Sequence, residues 1–257
     1  MTRPAYSVDS RDRAFEVKFL VDPDTAGRIR SWSRQVLPAD PHGSGCYGDE
    51  YLTTSLYFDT PDFAVFRRHG SYRRSKYRIR RYGACDEVFL ERKMRTRNVL
   101  SKRRTRVHRE ELGRLTLVDA DPDWEGAWFL KRLRIRRFAP AVQVSYHRSA
   151  RVAETALGAI RLTVDDSLRA VPAAGLVFHA GSGDIFIHDR AIVEMKFRVA
   201  TPAIFKELVG RFVLEPQRIS KYRLAALALG LVPVPARRSI PDSDEGDAAV
   251  CLPSWKC

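Results

Sequence analysis

An α+β domain with a barrel-type antiparallel sheet and flanking helices is predicted here from three observations. Several segments alternate apolar and polar residues, the period of a half-buried strand. Helical spacing is confined to a few short stretches. Three of the alternating segments also carry Glu-x-Lys: Glu16-Val17-Lys18, Glu91-Arg92-Lys93 and Glu194-Met195-Lys196. At spacing two, both charges of a pair share one face of a strand. In the first and third pairs the opposite face is apolar, with Phe15, Val17 and Phe19, and with Val193, Met195 and Phe197. Any one pair suits an ordinary half-solvated strand. All three, together with Lys76, Arg78 and Arg80 and with Arg161 and Asp165, would be gathered in the lumen of a closed barrel whose oily outer face is covered by helices.

In chain order, residues 1–12 are polar and charged and are expected to form a disordered arm. Residues 13–21 alternate and form a strand. Asp22-Pro23-Asp24-Thr25 starts a helix over 26–37, with proline in the first turn. A Pro/Gly/His-rich loop spans 38–48, and a strand follows over 51–59. A short helix is expected at 62–68. Residues 72–82 and 88–93 form a basic hairpin about a turn at 83–86, and 95–109 is extended or looped. Residues 123–137 have helical spacing of Trp124, Trp128, Leu130 and Leu133. Strands are expected at 141–150, 159–166 and 176–179, and a long one lies within 184–199. Helices follow over 201–212 and 220–229. One domain therefore covers 13–232, and 233–257, mixing Pro, Ser and acidic residues, is expected to be a flexible tail.

The net charge of +14 is local rather than general. Between positions 67 and 109 there are 17 Lys/Arg against 3 Asp/Glu, and the remainder holds 28 of each sign. On the first strand of the hairpin Lys76, Arg78 and Arg80 share a face, and Glu91 and Lys93 share a face on the second. Such a row repels itself unless a polyanion neutralises it, which points to a phosphate-binding surface that also holds a metal. Only 9 of the 45 basic residues are lysine, yet six of these fall in the motifs discussed here. The two cations are not interchangeable around phosphate.

Other chemistries find little support. No Gly-x-x-x-x-Gly-Lys-Ser/Thr loop is present, and His42, His69, His108, His147, His179 and His188 lack ligand spacing. Basic strands do read phosphate backbones, but no helix-turn-helix, zinc finger or RNA-binding aromatic motif accompanies them, so no specific nucleic-acid partner is expected. Cys46, Cys85, Cys251 and Cys257 show no CxxC pair and are expected as free thiols in a reducing, cytoplasmic compartment. No signal peptide is expected, since residues 1–12 are polar and charged. The longest apolar run, 224–232, falls short of the roughly 20 residues of a membrane helix.

Nine short motifs in order resemble the catalytic domain of the vacuolar transporter chaperone family, the polyphosphate polymerases of the triphosphate tunnel metalloenzyme superfamily. They are Glu16-Val-Lys-Phe19, Ser55-Leu-Tyr-Phe-Asp-Thr60, Arg78-Ile-Arg-Arg-Tyr-Gly83, Phe89-Leu-Glu-Arg-Lys93, Lys102, Tyr146-His-Arg148, Arg161-Leu-Thr-Val-Asp165, Val193-Glu-Met-Lys-Phe197 and Arg218-Ile-Ser-Lys-Tyr222. The resemblance implies a closed antiparallel tunnel of about eight strands. It implies that Arg78, Arg80, Lys93, Arg148, Arg161 and Lys196 act on the reacting phosphates, and that Lys18, Lys76 and Tyr146 bind substrate. Lys102, Arg218, Ser220 and Lys221 would hold the nucleotide end or a tunnel mouth. Glu194 would bind Mn²⁺ or Mg²⁺, both oxygen-seeking ions. The implied partners are ATP and inorganic polyphosphate, with room for a membrane-protein partner. A non-catalytic binding module and a triphosphate hydrolase of the same fold stay open. Related tunnel triphosphatases carry Glu-x-Glu-x-Lys on the first strand, and Ala14 replaces the first Glu here, which favours the polymerase branch. One feature conflicts with a polar tunnel: strict alternation puts Arg148 on the face of Val142 and Val144, and a bulge or shifted register is expected to separate them.

Overall fold

Alternation with one apolar face builds most of the sheet. The computed structural model describes residues 8–10, 15–96, 99–117, 121–179 and 183–232. Its strands are β1 (Val8–Ser10), β2 (Phe15–Val21), β3 (Glu50–Asp59), β4 (Ser75–Tyr82), β5 (Glu87–Thr96), β6 (Val99–His108), β7 (Ala139–Thr155), β8 (Gly158–Pro172), β9 (Asp184–Ile185) and β10 (Ala191–Phe197). Helices are α1 (Pro23–Val36), α2 (Ala127–Arg136), α3 (Ala203–Phe212) and α4 (Lys221–Ala228). The strands form one antiparallel sheet in the order β1-β6-β5-β4-β3-β7-β8-β10-β2, with β9 beside β8. The sheet curls strongly: Lys93 of β5 reaches Glu16 of β2 at 2.6 Å, although six strand-to-strand steps separate them in the pairing order. Strand hydrogen bonds do not complete the ring among the described residues, so β1 and β2 remain edges and the closed barrel is not established.

The outer face is covered as the oily side of the Glu-x-Lys strands requires. Val17, Phe19 and Val21 of β2 and Val193, Met195 and Phe197 of β10 pack with Ile29 and Trp32 of α1 and Phe205 and Leu208 of α3. Burying each such side chain contributes about 1.5–3 kcal/mol before entropy is counted. On the far wall Phe58, Tyr77 and Phe129 of α2 form a second cluster, with Phe58 and Phe129 edge to face at 5.6 Å. Helix α1 starts at Asp22, whose carboxylate accepts from the Thr25 amide at 2.8 Å, the capping that the Asp-Pro start predicts.

Several local expectations are corrected. Residues 62–68 form turns, not a helix, because the Asp59 carboxylate accepts from the amides of Thr60, Val65 and Phe66 and folds the segment about itself. Residues 176–179 are not a strand; Gln143 of β7 holds them through the His179 amide and carbonyl. The basic stretch 99–108 is a full strand, with both faces polar enough to hide its alternation. The arm expected over 1–12 includes β1, paired with β6, and its remaining positions lie outside the described residues, as does the expected tail 233–257.

The position of Arg148 is the most informative difference. Pairing of β7 with β3 is unbroken from Val142 to Arg148, so these residues do share a face with Ser55 and Tyr57. The irregularity lies in the partner strand β8, where Ser167 adopts φ 49° between Asp166 and Arg169. Val142 and Val144 face inward because helix α4 fills that end, packing Tyr222, Ala225 and Ala226 against them. Tyr57 and Tyr222 stack at 5.5 Å, and the Tyr222 hydroxyl donates to buried Asp59. The interior is therefore apolar beside Tyr222, Ala225 and Ala226 of α4 and charged along the rest, including the N-terminus of α4, where Ser220 meets Lys76 and Lys221 meets Asp165.

Candidate functional site

Charged side chains from β2, β4, β5, β6, β7, β8, β10 and α4 meet on the inner face in three groups. In the first, cross-strand pairing sets Glu194 opposite Lys18 and Lys196 opposite Glu16. Lys18 lies 2.8 Å from Glu16 and 3.6 Å from Glu194, and Lys196 lies 2.7 Å from Glu194. Lys93 reaches the other Glu16 oxygen. Burial pushes the Glu16 carboxyl up, but Lys18, Lys93 and Lys196 outweigh it and hold it well below the usual carboxylate range. Burial and the neighbouring Glu16 both push Glu194 up, and Lys196 and Lys18 bring it well below that range.

The second group centres on Glu91, only 2% exposed. Arg78 lies 2.7 Å from it, Lys102 2.8 Å and Arg104 3.4 Å. Arg78, Lys102, Arg80 and Arg104 outweigh the burial that would otherwise raise its pKa, so Glu91 stays ionised. Burial, and Arg78 nearby, lower Lys102 to about 8 despite Glu91. Beside this group Arg80 is buried, donating to Ser55 Oγ at 3.0 Å and Tyr146 Oη at 3.1 Å. Among the described residues it has no carboxylate partner.

The third group holds Asp165, fully buried, between Arg148 and Lys221. Arg148 binds it through two parallel bonds of 2.6 and 2.8 Å, and Lys221 at 2.7 Å. Burial raises this carboxyl, and the two cations bring it down to about 2. At the end away from α4, Arg161 meets Asp40 at 2.6 Å and the Tyr51 hydroxyl.

Lys76 differs from the other lysines. It donates to Ser220 Oγ, the N-cap of α4, at 2.9 Å, and no carboxylate lies within 4 Å of it among the described residues. Burial, with Lys18 and Lys93 nearby, pushes it down to about 7.

Of the residues singled out in the sequence, Lys18, Lys76, Arg78, Arg80, Lys93, Lys102, Tyr146, Arg148, Arg161, Glu194, Lys196, Ser220 and Lys221 come together on the inner face or at its α4 end. Arg218 is exposed in the segment leading to α4. Sequence reasoning left Glu16 and Glu91 without a role and missed Asp40 and Tyr51. The Glu-x-Lys repeat held the signal for the first two; Asp40 sits in a loop, where no periodicity marks it.

Could this site hold a divalent ion? Among the described residues no group of three or more His, Cys, Asp or Glu converges. Glu194 and Glu16 are, however, neighbouring recessed carboxylates, both held ionised and sharing Lys18 and Lys196. One or two carboxylates completed by substrate phosphates suit Mg²⁺ or Mn²⁺. The donor set fits, with Glu194 and Glu16 as the protein's contribution.

Comparisons with known proteins bear on the fold and the family. A solved structure of a candidate adenylate cyclase from Bacillus halodurans is similar over 82% of this chain and 95% of its own, at 17% identity and TM-score 0.50, and supports the fold alone. A candidate adenylyl cyclase from Hippeastrum with a dominant triphosphatase activity aligns over 86% and 98% at 16% identity and TM-score 0.42. A protein from Pyrococcus horikoshii aligns over 82% and 97% at 16% identity and TM-score 0.42. No curated protein matches the chain. The family model for the VTC domain matches residues 13–229, nearly all of the described chain, and the protein belongs to that family.

Proposed function

We propose that this chain is a metal-dependent polyphosphate polymerase that transfers the γ-phosphate of ATP to a growing polyphosphate. The observation that carries the reading is the convergence of Lys18, Arg78, Arg80, Lys93, Arg148 and Lys196 on one inner face, where Glu194, Glu16, Glu91 and Asp165 are set among them. Phosphoryl transfer needs in-line positioning and stabilisation of charge on the equatorial oxygens more than covalent chemistry. Arg80 and Lys76, which have no carboxylate within 4 Å among the described residues, are the cations readiest to take phosphate oxygens. Arg78, Lys93 and Lys196 are held by Glu91, Glu16 and Glu194 and would exchange part of that pairing for substrate. The terminal oxygen of polyphosphate is already ionised, so no general base is required when it attacks the γ-phosphorus and ADP departs. A divalent ion held by Glu194 and Glu16 would supply charge neutralisation at the leaving-group oxygens.

Purified protein incubated with ATP and Mn²⁺ is expected to release ADP and accumulate long-chain polyphosphate. Glu194→Gln is expected to abolish both and to weaken Mn²⁺ binding measured calorimetrically in the presence of a non-hydrolysable ATP analogue. ADP with free phosphate would make the chain a triphosphate hydrolase. Saturable binding without turnover would make it a binding module.

Lys76 sets a pH dependence. Its ammonium is charged below about 7 and neutral above, and a bound phosphate chain favours the charged form. Tripolyphosphate affinity should therefore fall as pH rises through 7 to 8.5, by about tenfold for one charge-assisted hydrogen bond. The Lys76→Met variant should bind more weakly and lose that part of the slope. Identical slopes in the two proteins would remove Lys76 from the binding surface.

A further inference from the structure

The interior cations do not stop where the tunnel meets solvent. Lys76 donates to Ser220 Oγ, and the same oxygen caps α4 by accepting from the Arg223 amide at 3.5 Å. The Arg223 guanidinium lies over the Phe66 ring at 5.0 Å. Phe66 is fixed by Asp59 through its amide, at 2.9 Å, and Arg68 follows two residues later, its own amide bonded to the Val65 carbonyl at 3.3 Å. Asp59 also receives the Tyr222 hydroxyl, so one buried carboxylate ties the turn carrying Arg68 to the helix carrying Arg223. The two arginines thus stand on a firm support next to the α4 end of the interior.

Their charges are not compensated. Arg68 is exposed and Arg223 half-buried, and among the described residues neither has a carboxylate within 4 Å. Exposed Arg73 and Arg74 nearby in sequence likewise lack one among the described residues, whereas Arg67 lies near enough to Asp62 to favour its ionised form. Arg68 is also near enough to disfavour the charged forms of both Lys76 and Arg223, adding to what burial does to each. A patch of like charges that repel one another and lack counter-charges is a site for a polyanion. Its continuity with Lys76 through Ser220 favours one that already lies in the tunnel.

We infer that the phosphate track continues out of the tunnel at the α4 mouth across Arg68 and Arg223, so that polyphosphate longer than the tunnel is held on this outer rim. This rests on the tunnel reading above and adds to it a preference for long chains and the mouth through which they pass. A short ligand filling only the interior gains nothing from the rim. A long one gains two further cations, each releasing counterions from the polyanion.

The test compares tripolyphosphate with long-chain polyphosphate by equilibrium binding, in the parent protein and in an Arg68→Gln/Arg223→Gln double variant. The parent should bind the long chain more tightly. In the double variant that advantage should shrink about tenfold, and the slope of log affinity against log salt for the long chain should become shallower by about two. At pH 6, where Lys76 is charged in both proteins, tripolyphosphate affinity should change less than twofold, which also shows that the variant is folded, and each single variant should give an intermediate loss of the length preference. An unchanged length preference in a variant that binds tripolyphosphate normally overturns the inference and leaves the tunnel reading intact. A parent protein that binds neither ligand overturns both. Loss of binding to vesicles of anionic phospholipid, with polyphosphate length preference unaltered, would instead assign the patch to a membrane surface and reject the rim track.

Discussion

Arg80→Ala is expected to lower ATP-dependent polyphosphate synthesis by about 10²–10³-fold, the loss typical of removing one preorganised donor from a developing charge. Its melting temperature should stay the same or rise. Arg80 is buried on the inner face, donates to two neutral hydroxyls, Ser55 and Tyr146, and lies over the Tyr82 ring at 5.9 Å; Glu91 favours its charge from a distance but makes no direct ion pair with it. Their two hydrogen bonds to a charged donor contribute about 1.5–3 kcal/mol each, offset by the cost of keeping that guanidinium buried with no carboxylate bonded to it. Against that stands repulsion from Arg78, one turn of the pleat away, whose charged form Arg80 disfavours. Water entering the polar interior can satisfy the two hydroxyls that truncation exposes. Arg80→Lys keeps the charge but not the planar fork and should fall between the two. A variant that unfolds would show Arg80 to be a structural cation, and one that keeps full turnover would place the reacting phosphates elsewhere.

How legible was this site in the sequence? Wherever function rode on strand period, it could be read directly. The Glu-x-Lys pairs on β2 and β10 face inward because Val17, Phe19, Val193 and Met195 need the helices outside, and both halves of that pattern are local. Strand β6 was harder, since Lys102 and Arg104 on one face and Arg103 on the other erase the contrast that marks a strand. Nothing local shows that Glu16 and Glu194 become neighbours, or that Lys93 crosses to Glu16, because these depend on the curl of the whole sheet. The conflict between Arg148 and Val144 arose from assuming a uniformly polar tunnel. Alternation was correct; what it could not reveal is that α4, distant in the chain, enters the interior and makes valine the right residue there.

Asp165→Asn should have the largest effect on stability, because the carboxylate it removes serves two buried cations at once. Arg148 and Lys221 both depend on Asp165 for their counter-charge, and none of the three is more than 8% exposed. Removing one member of a buried ion pair costs about 3–5 kcal/mol, since the remaining charge is left without compensation. A drop of that size should appear in urea unfolding at pH 7. The pH dependence gives an independent check. The folded-state pKa of Asp165 is depressed to about 2, below an unfolded value near 3.9, so its stabilisation is fully present above pH 3.9 and is lost as pH falls through 2. Between those limits the parent should lose stability toward acid with one more proton's slope than Asp165→Asn. The variant should also regain more melting temperature than the parent when tripolyphosphate is added, because a phosphate group can take the place of the missing carboxylate between Arg148 and Lys221. If the anion stabilised both proteins equally, these two residues would be a structural pair beside the phosphate path and not part of it.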